Sequence, residues 1–216
     1  MRKMKKIRLA AMLLSVVLLV IATVSGTLAL MLGYTDPVVN EFTVGNVAIT
    51  LDETNRTYKM VPGKVIDKDP HVTVDTTSED CYVFVKIEEG FVDASGNVTE
   101  KFNEKDFKYF VDYKVDEGWT LLDGTTNVYY RTVISAEQKG ESINILGSGS
   151  ISGTDYKWKP NQVITRPEVT KADMDALTTA GVTPTLTFTA YACQYWDNDK
   201  PMDINTAWNT IQQEIK

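Results

Sequence analysis

Few residues of this chain could do acid–base or metal chemistry. His71 is the only histidine among 216 residues, so neither an HExxH zinc motif nor a three-histidine site can form. A serine hydrolase triad would have to use His71, but the chain has no GxSxG nucleophile motif. The sequence therefore favours a structural histidine at the edge of a strand and predicts no catalytic site.

Closely spaced carboxylates are the remaining candidates for a metal site. Asp67 and Asp69 form one pair, and Asp197 and Asp199 form another; such oxygen ligands can hold Ca²⁺. Neither pair matches the twelve-residue calcium loop that closes with a glutamate. We expect solvated turns at both places and no cofactor.

The two cysteines leave two alternatives open. A disulfide between Cys81 and Cys193 would close a very long loop, worth about 4–5 kcal/mol in the chain-entropy model. However, Cys81 falls on the same face of its predicted strand as apolar residues. Cys193 falls on the same face as Thr187 and Thr189, opposite the apolar face of its strand. Opposite parity places the two thiols on opposite faces of a strand pair unless a bulge intervenes. The other alternative is two buried or half-buried free thiols.

Period-two alternation, which is typical of half-buried strands, recurs along the chain. The segments that show it are 42–44, 47–51, 72–74, 81–88, 109–115, 128–134 and 186–192. Turns rich in Gly, Asn and Asp separate them. This succession predicts an all-β fold, an antiparallel sandwich or barrel.

Helices are expected to be few and short. The sequence predicts them at 101–108, at 171–178 and at about 203–215. The last has an apolar stripe that includes Ala207, Trp208 and Ile211. We expect this stripe to pack on its own domain.

The first 29 residues have the pattern of a secretory signal. Five basic residues open the chain, a largely apolar run follows, and Thr27 and Ala29 are the small residues that a signal peptidase requires. We predict a signal helix over 1–29 that is cleaved after Ala29. An uncleaved anchor is the alternative, because an uncharged run of this length can span a bilayer.

The chain after residue 29 is acidic. Its 187 residues contain 17 basic and 29 acidic side chains, a net charge of −12. Nucleic acids and anionic membranes bind basic patches. We therefore expect no nucleic-acid partner, and membrane contact only through the signal segment before cleavage. The length fits one domain with its own core, which we assign to 45–216.

Motifs spread over most of the chain carry a family resemblance, and the N-terminal one is the most specific. They are Gly26-Thr27-Leu28-Ala29, Asn40-Glu41-Phe42-Thr43-Val44-Gly45-Asn46-Val47, Pro62-Gly63-Lys64 before Lys68-Asp69-Pro70, Tyr82-Val83-Phe84-Val85-Lys86 and Thr187-Phe188-Thr189-Ala190-Tyr191-Ala192. Together they resemble exported proteins that are matured by the alternate signal peptidase SipW. This family includes TasA, a biofilm-matrix fibre subunit, and camelysin, a cell-surface protein.

The resemblance implies a jelly-roll-like β-sandwich that a Gram-positive bacterium exports to its surface or matrix after cleavage by a SipW-like peptidase. In TasA-like proteins the segment freed by cleavage becomes a strand that inserts into the next subunit. The implied partners are copies of this chain or a related exported subunit. Camelysin has been called a metallopeptidase, but one histidine and no zinc motif give no site for that activity here.

The candidate donor strand lies within 30–44. Leu30, Leu32 and Tyr34 share one parity and are its candidate anchors, and addition to a neighbour's sheet would bury them. The alternatives are that the segment folds back on its own sandwich or stays disordered. The sequence thus favours a fibre subunit, then a surface adhesin on the same fold, and only distantly a peptidase.

Overall fold

The computed structural model describes residues 32–35, 42–44, 47–99, 106–197 and 199–215. The predicted cleavage residues Thr27 and Ala29, and the candidate anchor Leu30, lie outside these ranges. Within them, no helix is long and apolar enough to cross a membrane.

Strands dominate the described part of the chain. In order they are β1 Leu32–Thr35, β2 Phe42–Val44, β3 Val47–Asp52, β4 Val65–Asp67, β5 His71–Val74, β6 Cys81–Asp93, β7 Val111–Asp112, β8 Lys114–Val115, β9 Thr120–Leu121, β10 Val128–Val133, β11 Ser142–Asn144, β12 Leu146–Gly147, β13 Gly149–Ser150, β14 Lys157–Trp158, β15 Gln162–Thr165, β16 Val182–Gln194, β17 Trp196–Asp197 and β18 Lys200–Pro201. The helices are α1 Phe107–Phe110, α2 Lys171–Ala180 and α3 Ile204–Glu214, with a 3-10 turn at Ala136–Gln138.

Two antiparallel sheets form a β-sandwich. The larger has the strand order β1-β16-β6-β10-β9 and the smaller has the order β11-β5-β3-β2. Their apolar faces share one core, to which β3 contributes Ile49, β5 contributes Val72, and β6 contributes Val83 and Val85. The predicted all-β antiparallel class with a few short helices is confirmed.

Strands β6 and β16 form the longest ladder of the described chain. Thirteen consecutive residue pairs join them, from Val182 opposite Asp93 to Gln194 opposite Cys81. Both parities of β6 are buried near its start, because Val83 lies in the sandwich core and Phe84 in a second cluster on the opposite face. This part of the ladder is an inner layer of the protein.

Helix α3 covers that second face of the larger sheet. Asp203 caps the helix, and Trp208 packs with its ring centroid 5.3 Å from that of Phe84 and 5.6 Å from that of Tyr191. The predicted helix over 203–215 is confirmed, and it packs on its own domain as expected.

The chain before β7 differs from the prediction. The sequence predicted a helix over 101–108 and a strand over 109–115. Residues 101–105 lie outside the described ranges, and the residues from 107 to 115 form the one-turn helix α1 and then the short strands β7 and β8. The Asp106 carboxylate caps α1 by accepting a backbone N–H at 3.0 Å. Phe107 and Phe110 are both buried, since residues three apart share a helical face. The burial of both rings therefore stabilises a helical turn here, although the period-two alternation of 109–115 is typical of a strand.

Replacing Trp208 with alanine tests whether α3 is an integral part of the fold. We expect the free energy of unfolding to fall by about 3–5 kcal/mol, because a large buried aromatic side chain leaves a cavity. Gln213→Ala, an exposed position of the same helix, should change it by less than about 0.5 kcal/mol. Urea denaturation measures both values. Equal effects would show that α3 does not pack on the sheet.

Candidate assembly site

The first described strand lies on the edge of the chain's own larger sheet. β1 pairs antiparallel with the end of β16, from Leu32 opposite Cys193 to Thr35 opposite Ala190. Of the alternatives for the N-terminal segment, the structure describes the one in which it folds back. Four residue pairs hold it there.

Two of the candidate anchors occupy equivalent positions in this pairing. Leu32 lies opposite Cys193 and Tyr34 lies opposite Tyr191. Both partners are buried in the cluster beneath α3. The register therefore brings both anchor positions opposite residues of this cluster.

Strand β16 has a second stretch of edge that nothing described covers. Residues 182–189 pair with β6 on one side, and no residue in the described ranges pairs with them on the other. Pro184 lies in this stretch, as expected for an edge, because proline has no N–H to donate. Unpaired edges of this kind are templates for a further strand.

A cleft runs beside this uncovered edge. Its volume is about 390 Å³, and residues 182–186 of β16 form one wall. The segment before β4, together with β4, β15, α1 and α2, forms the other walls. Their apolar side chains include Met60, Ile66, Phe107, Val163, Met174 and Leu177.

A buried lysine, Lys68, is among the residues that line the cleft. The Nζ atom of Lys68 lies 2.6 Å from a carboxylate oxygen of Glu53. It also lies over the rings of Tyr58 and Phe188, 5.1 and 5.3 Å from their centroids. The Tyr58 hydroxyl also donates to Glu53 at 2.8 Å. Burial, and then this hydrogen bond, raise the pKa of Tyr58 above its ordinary value. The lysine charge is therefore matched inside the protein.

Sequence reasoning missed the group formed by Glu53, Tyr58 and Lys68. The segment between β3 and β4 has no regular period, so nothing local marks these residues as partners. Lysine side chains are usually exposed, and Lys68 is flanked by Asp67 and Asp69 in the sequence. Only the folded arrangement shows that it is buried.

The sheet separates the two cysteines. In the β6–β16 ladder Cys81 lies opposite Gln194, and Cys193 lies opposite Tyr82, so their side chains point to opposite faces. Cys81 belongs to the sandwich core and Cys193 to the cluster beneath α3. Both are buried, and neither forms a disulfide. Of the two alternatives, the structure describes the free thiols.

The first acidic pair binds neighbouring side chains. Asp67 accepts a hydrogen bond from the Gln162 amide at 2.7 Å, and Asp69 accepts one from the Thr54 hydroxyl at 2.5 Å. Burial works to raise the pKa of Asp69, but the bonds from Thr54 hold it below its usual value. Across the described ranges, no three His, Cys, Asp or Glu side chains come together as a metal site.

The other candidates lie away from the cleft. Asp197 ends β17 opposite Lys200 of β18, and Asp199 is exposed between these strands. His71 opens β5, an inner strand of the smaller sheet, and its Nδ1 donates to the carbonyl oxygen of Asp69 at 2.9 Å. None of these residues lines the cleft.

No protein-family model matches the chain, and no curated protein or solved structure matches it either. The family resemblance noted in the sequence stays a prediction. The arrangement of the described residues is therefore the basis for any functional proposal.

The reactivity of the two cysteines tests their placement. Burial raises the pKa of Cys81 to about 12 and that of Cys193 to about 11, and the thiolate is the reactive form. We expect neither to react with Ellman's reagent in the native protein at mildly alkaline pH, and both to react in guanidinium chloride without reductant. A Thr179→Cys variant, exposed on α2, is the reactive control. If neither Cys81 nor Cys193 reacts with the reagent after unfolding, the two form a disulfide.

Proposed function

We propose that this protein is an exported, non-enzymatic structural subunit of a bacterial cell surface or extracellular matrix. Its copies, or a related exported subunit, would assemble into fibres by exchange of the N-terminal strand. The observation that carries the proposal is the pairing of β1 with the edge of β16. The same four residue pairs form when β1 of one copy lies on β16 of another.

Exchange costs little in contact energy, because it replaces each intramolecular pair with an identical intermolecular pair. The balance then depends on the connection that follows β1 and on protein concentration. The uncovered stretch 182–189 favours assembly further, since an edge with unpaired backbone groups gains hydrogen bonds from any added strand.

The N-terminal sequence supports export. Its basic opening, apolar run and small residues at Thr27 and Ala29 match what a signal peptidase of the SipW type would process. This pattern adds a signal helix over 1–29 to the proposal, and the resemblance to SipW-dependent proteins adds a jelly-roll connectivity. Cleavage after Ala29 would leave two residues, Leu30 and Met31, before β1.

A surface-binding module on the same sandwich is the second candidate. The cleft beside β16 favours it, because its volume falls within the range of about 300–1,000 Å³ that is common for small-molecule sites. The two candidates differ in what they require. A subunit needs β1 to leave its own sheet, whereas a binding module works as a monomer.

Cleavage is tested by the mass and N-terminal sequence of the secreted protein. We expect a chain that begins at Leu30, because small side chains occupy the positions that the peptidase reads. Ala29→Arg should leave a membrane-bound precursor, and Asn40→Arg, beyond the cleavage point, should be processed normally. A secreted wild-type chain that still begins at Met1 would contradict the proposal.

Strand exchange is tested by locking β1 to its own sheet. Thr35→Cys and Ala190→Cys introduce thiols at directly opposed positions, where the Cβ separation of about 4.5–5.5 Å is close to what a disulfide needs. Protein oxidised as a monomer should stay monomeric, and reduction should restore fibres. Protein oxidised after assembly should give a ladder of covalent oligomers on a non-reducing gel.

The single variants Thr35→Cys and Ala190→Cys are the controls, and both should assemble in oxidant. Gly33→Cys with Ala192→Cys provides a second lock in the same register if the first pair perturbs folding. Fibres grown from locked monomers, or assembled fibres with only intramolecular bridges, would rule out exchange of β1.

A further inference from the structure

We propose that the cleft beside β16 binds a small anionic amphiphile, a carboxylate with an aliphatic or aromatic body. The apolar body lies in the cleft and the carboxylate lies at Arg56. This inference goes beyond the structural role and does not depend on strand exchange.

The walls of the cleft suit an apolar body. Ile66 and Val163 come from neighbouring strands, Phe107 comes from α1, and Met174 and Leu177 come from α2. Methionine side chains are flexible and polarisable, so they adapt to ligands of different shape. A cleft of about 390 Å³ with this lining gains free energy when an apolar group displaces its water.

The charged side chains that line the cleft favour a ligand with a negative charge. Among the described residues, its charged lining side chains are Arg56 and Lys68, with no carboxylate, although the whole chain has a net charge of −7. Glu53 already matches Lys68 at 2.6 Å. Arg56 is exposed and has no ion-pair or hydrogen-bond partner within the described ranges. It is therefore the cation that a carboxylate can meet.

The edge of β16 adds a hydrogen-bond donor to the same cleft. The N–H of Ile87 bonds to Asn127 on the far side of β6, so its partner Phe188, and Leu186 two residues earlier, direct their backbone N–H groups to the unpaired edge, and Leu186 lines the cleft. Hydrogen bonds to a charged group are about twice as strong as neutral ones. A guanidinium group and a free backbone donor that line one cleft thus favour a carboxylate over an alcohol of the same length.

Isothermal titration of the secreted, processed protein with decanoate tests this site. Decanol has the same body without charge, decyltrimethylammonium has the opposite charge, and acetate has the head group without the body. We expect decanoate to bind at least about tenfold more tightly than each of the other three. Equal affinity for decanol, or no measurable binding of decanoate, would overturn the proposal.

Two matched pairs of variants locate the ligand. Arg56→Glu should weaken decanoate binding about tenfold, whereas Lys59→Glu, an exposed neighbour that does not line the cleft, should not. Thr178→Trp places a bulky ring at the cleft and should abolish binding. Thr179→Trp lies on the same helix outside the cleft and should leave binding intact.

If the two variants of either pair have the same effect on decanoate binding, decanoate binds elsewhere and the proposed site is wrong. The titration is repeated on the oxidised Thr35→Cys, Ala190→Cys monomer, in which β1 cannot leave its sheet. Binding by this monomer supports the cleft whatever the outcome for fibres. Binding that requires assembled fibres would overturn it.

Discussion

The ladder between β6 and β16 is the interaction on which the rest of this structure depends. Its thirteen pairs join two segments that are far apart in the sequence, and β10 and β1 attach to its outer sides. A register shift of one residue would turn Val83 and Val85 away from the sandwich core. It would also remove Phe84 from the cluster beneath α3.

The two halves of this ladder differ in what surrounds them. At the end that contains Cys81 and Cys193, strands cover both sides, and the sandwich core and α3 cover both faces. At the end that contains Val182, β16 has an uncovered edge with the cleft beside it. We propose that the ligand lies on the open half. Both proposals for function use the strand that joins the halves.

Much of the fold could be predicted because its signals are local. Alternation marks β3 and β6, since one face of each lies on the core, and the stripe around Trp208 marks α3. The one-turn helix at Phe107 and Phe110 could not be predicted, because the burial that stabilises it comes from other parts of the chain. The sequence shows the opposite parity of the cysteines but not that α3 packs over Cys193.

The candidate site was harder to predict than the fold. Leu32 and Tyr34 are recognisable as an apolar segment, but their parity does not say which strand they join. The answer is the edge of β16, more than a hundred and fifty residues away. The ion pair between Lys68 and Glu53 likewise could not be predicted. The segment that joins them shows no regular hydrophobic period, and only the packing of the fold brings them together.

Cys81 and Cys193 lie on opposite faces of the sheet, and this placement determines the redox conditions under which the protein can fold. They are the only cysteines of the chain, and the sheet stands between them, so the native fold contains no covalent cross-link. Its folding requires no oxidant and no disulfide isomerase. The ratio of folded to unfolded molecules is therefore the same at any ambient thiol–disulfide potential that leaves the unfolded thiols reduced. A domain built in this way keeps its stability in oxygen-poor surroundings, where cross-linked domains lose theirs by reduction.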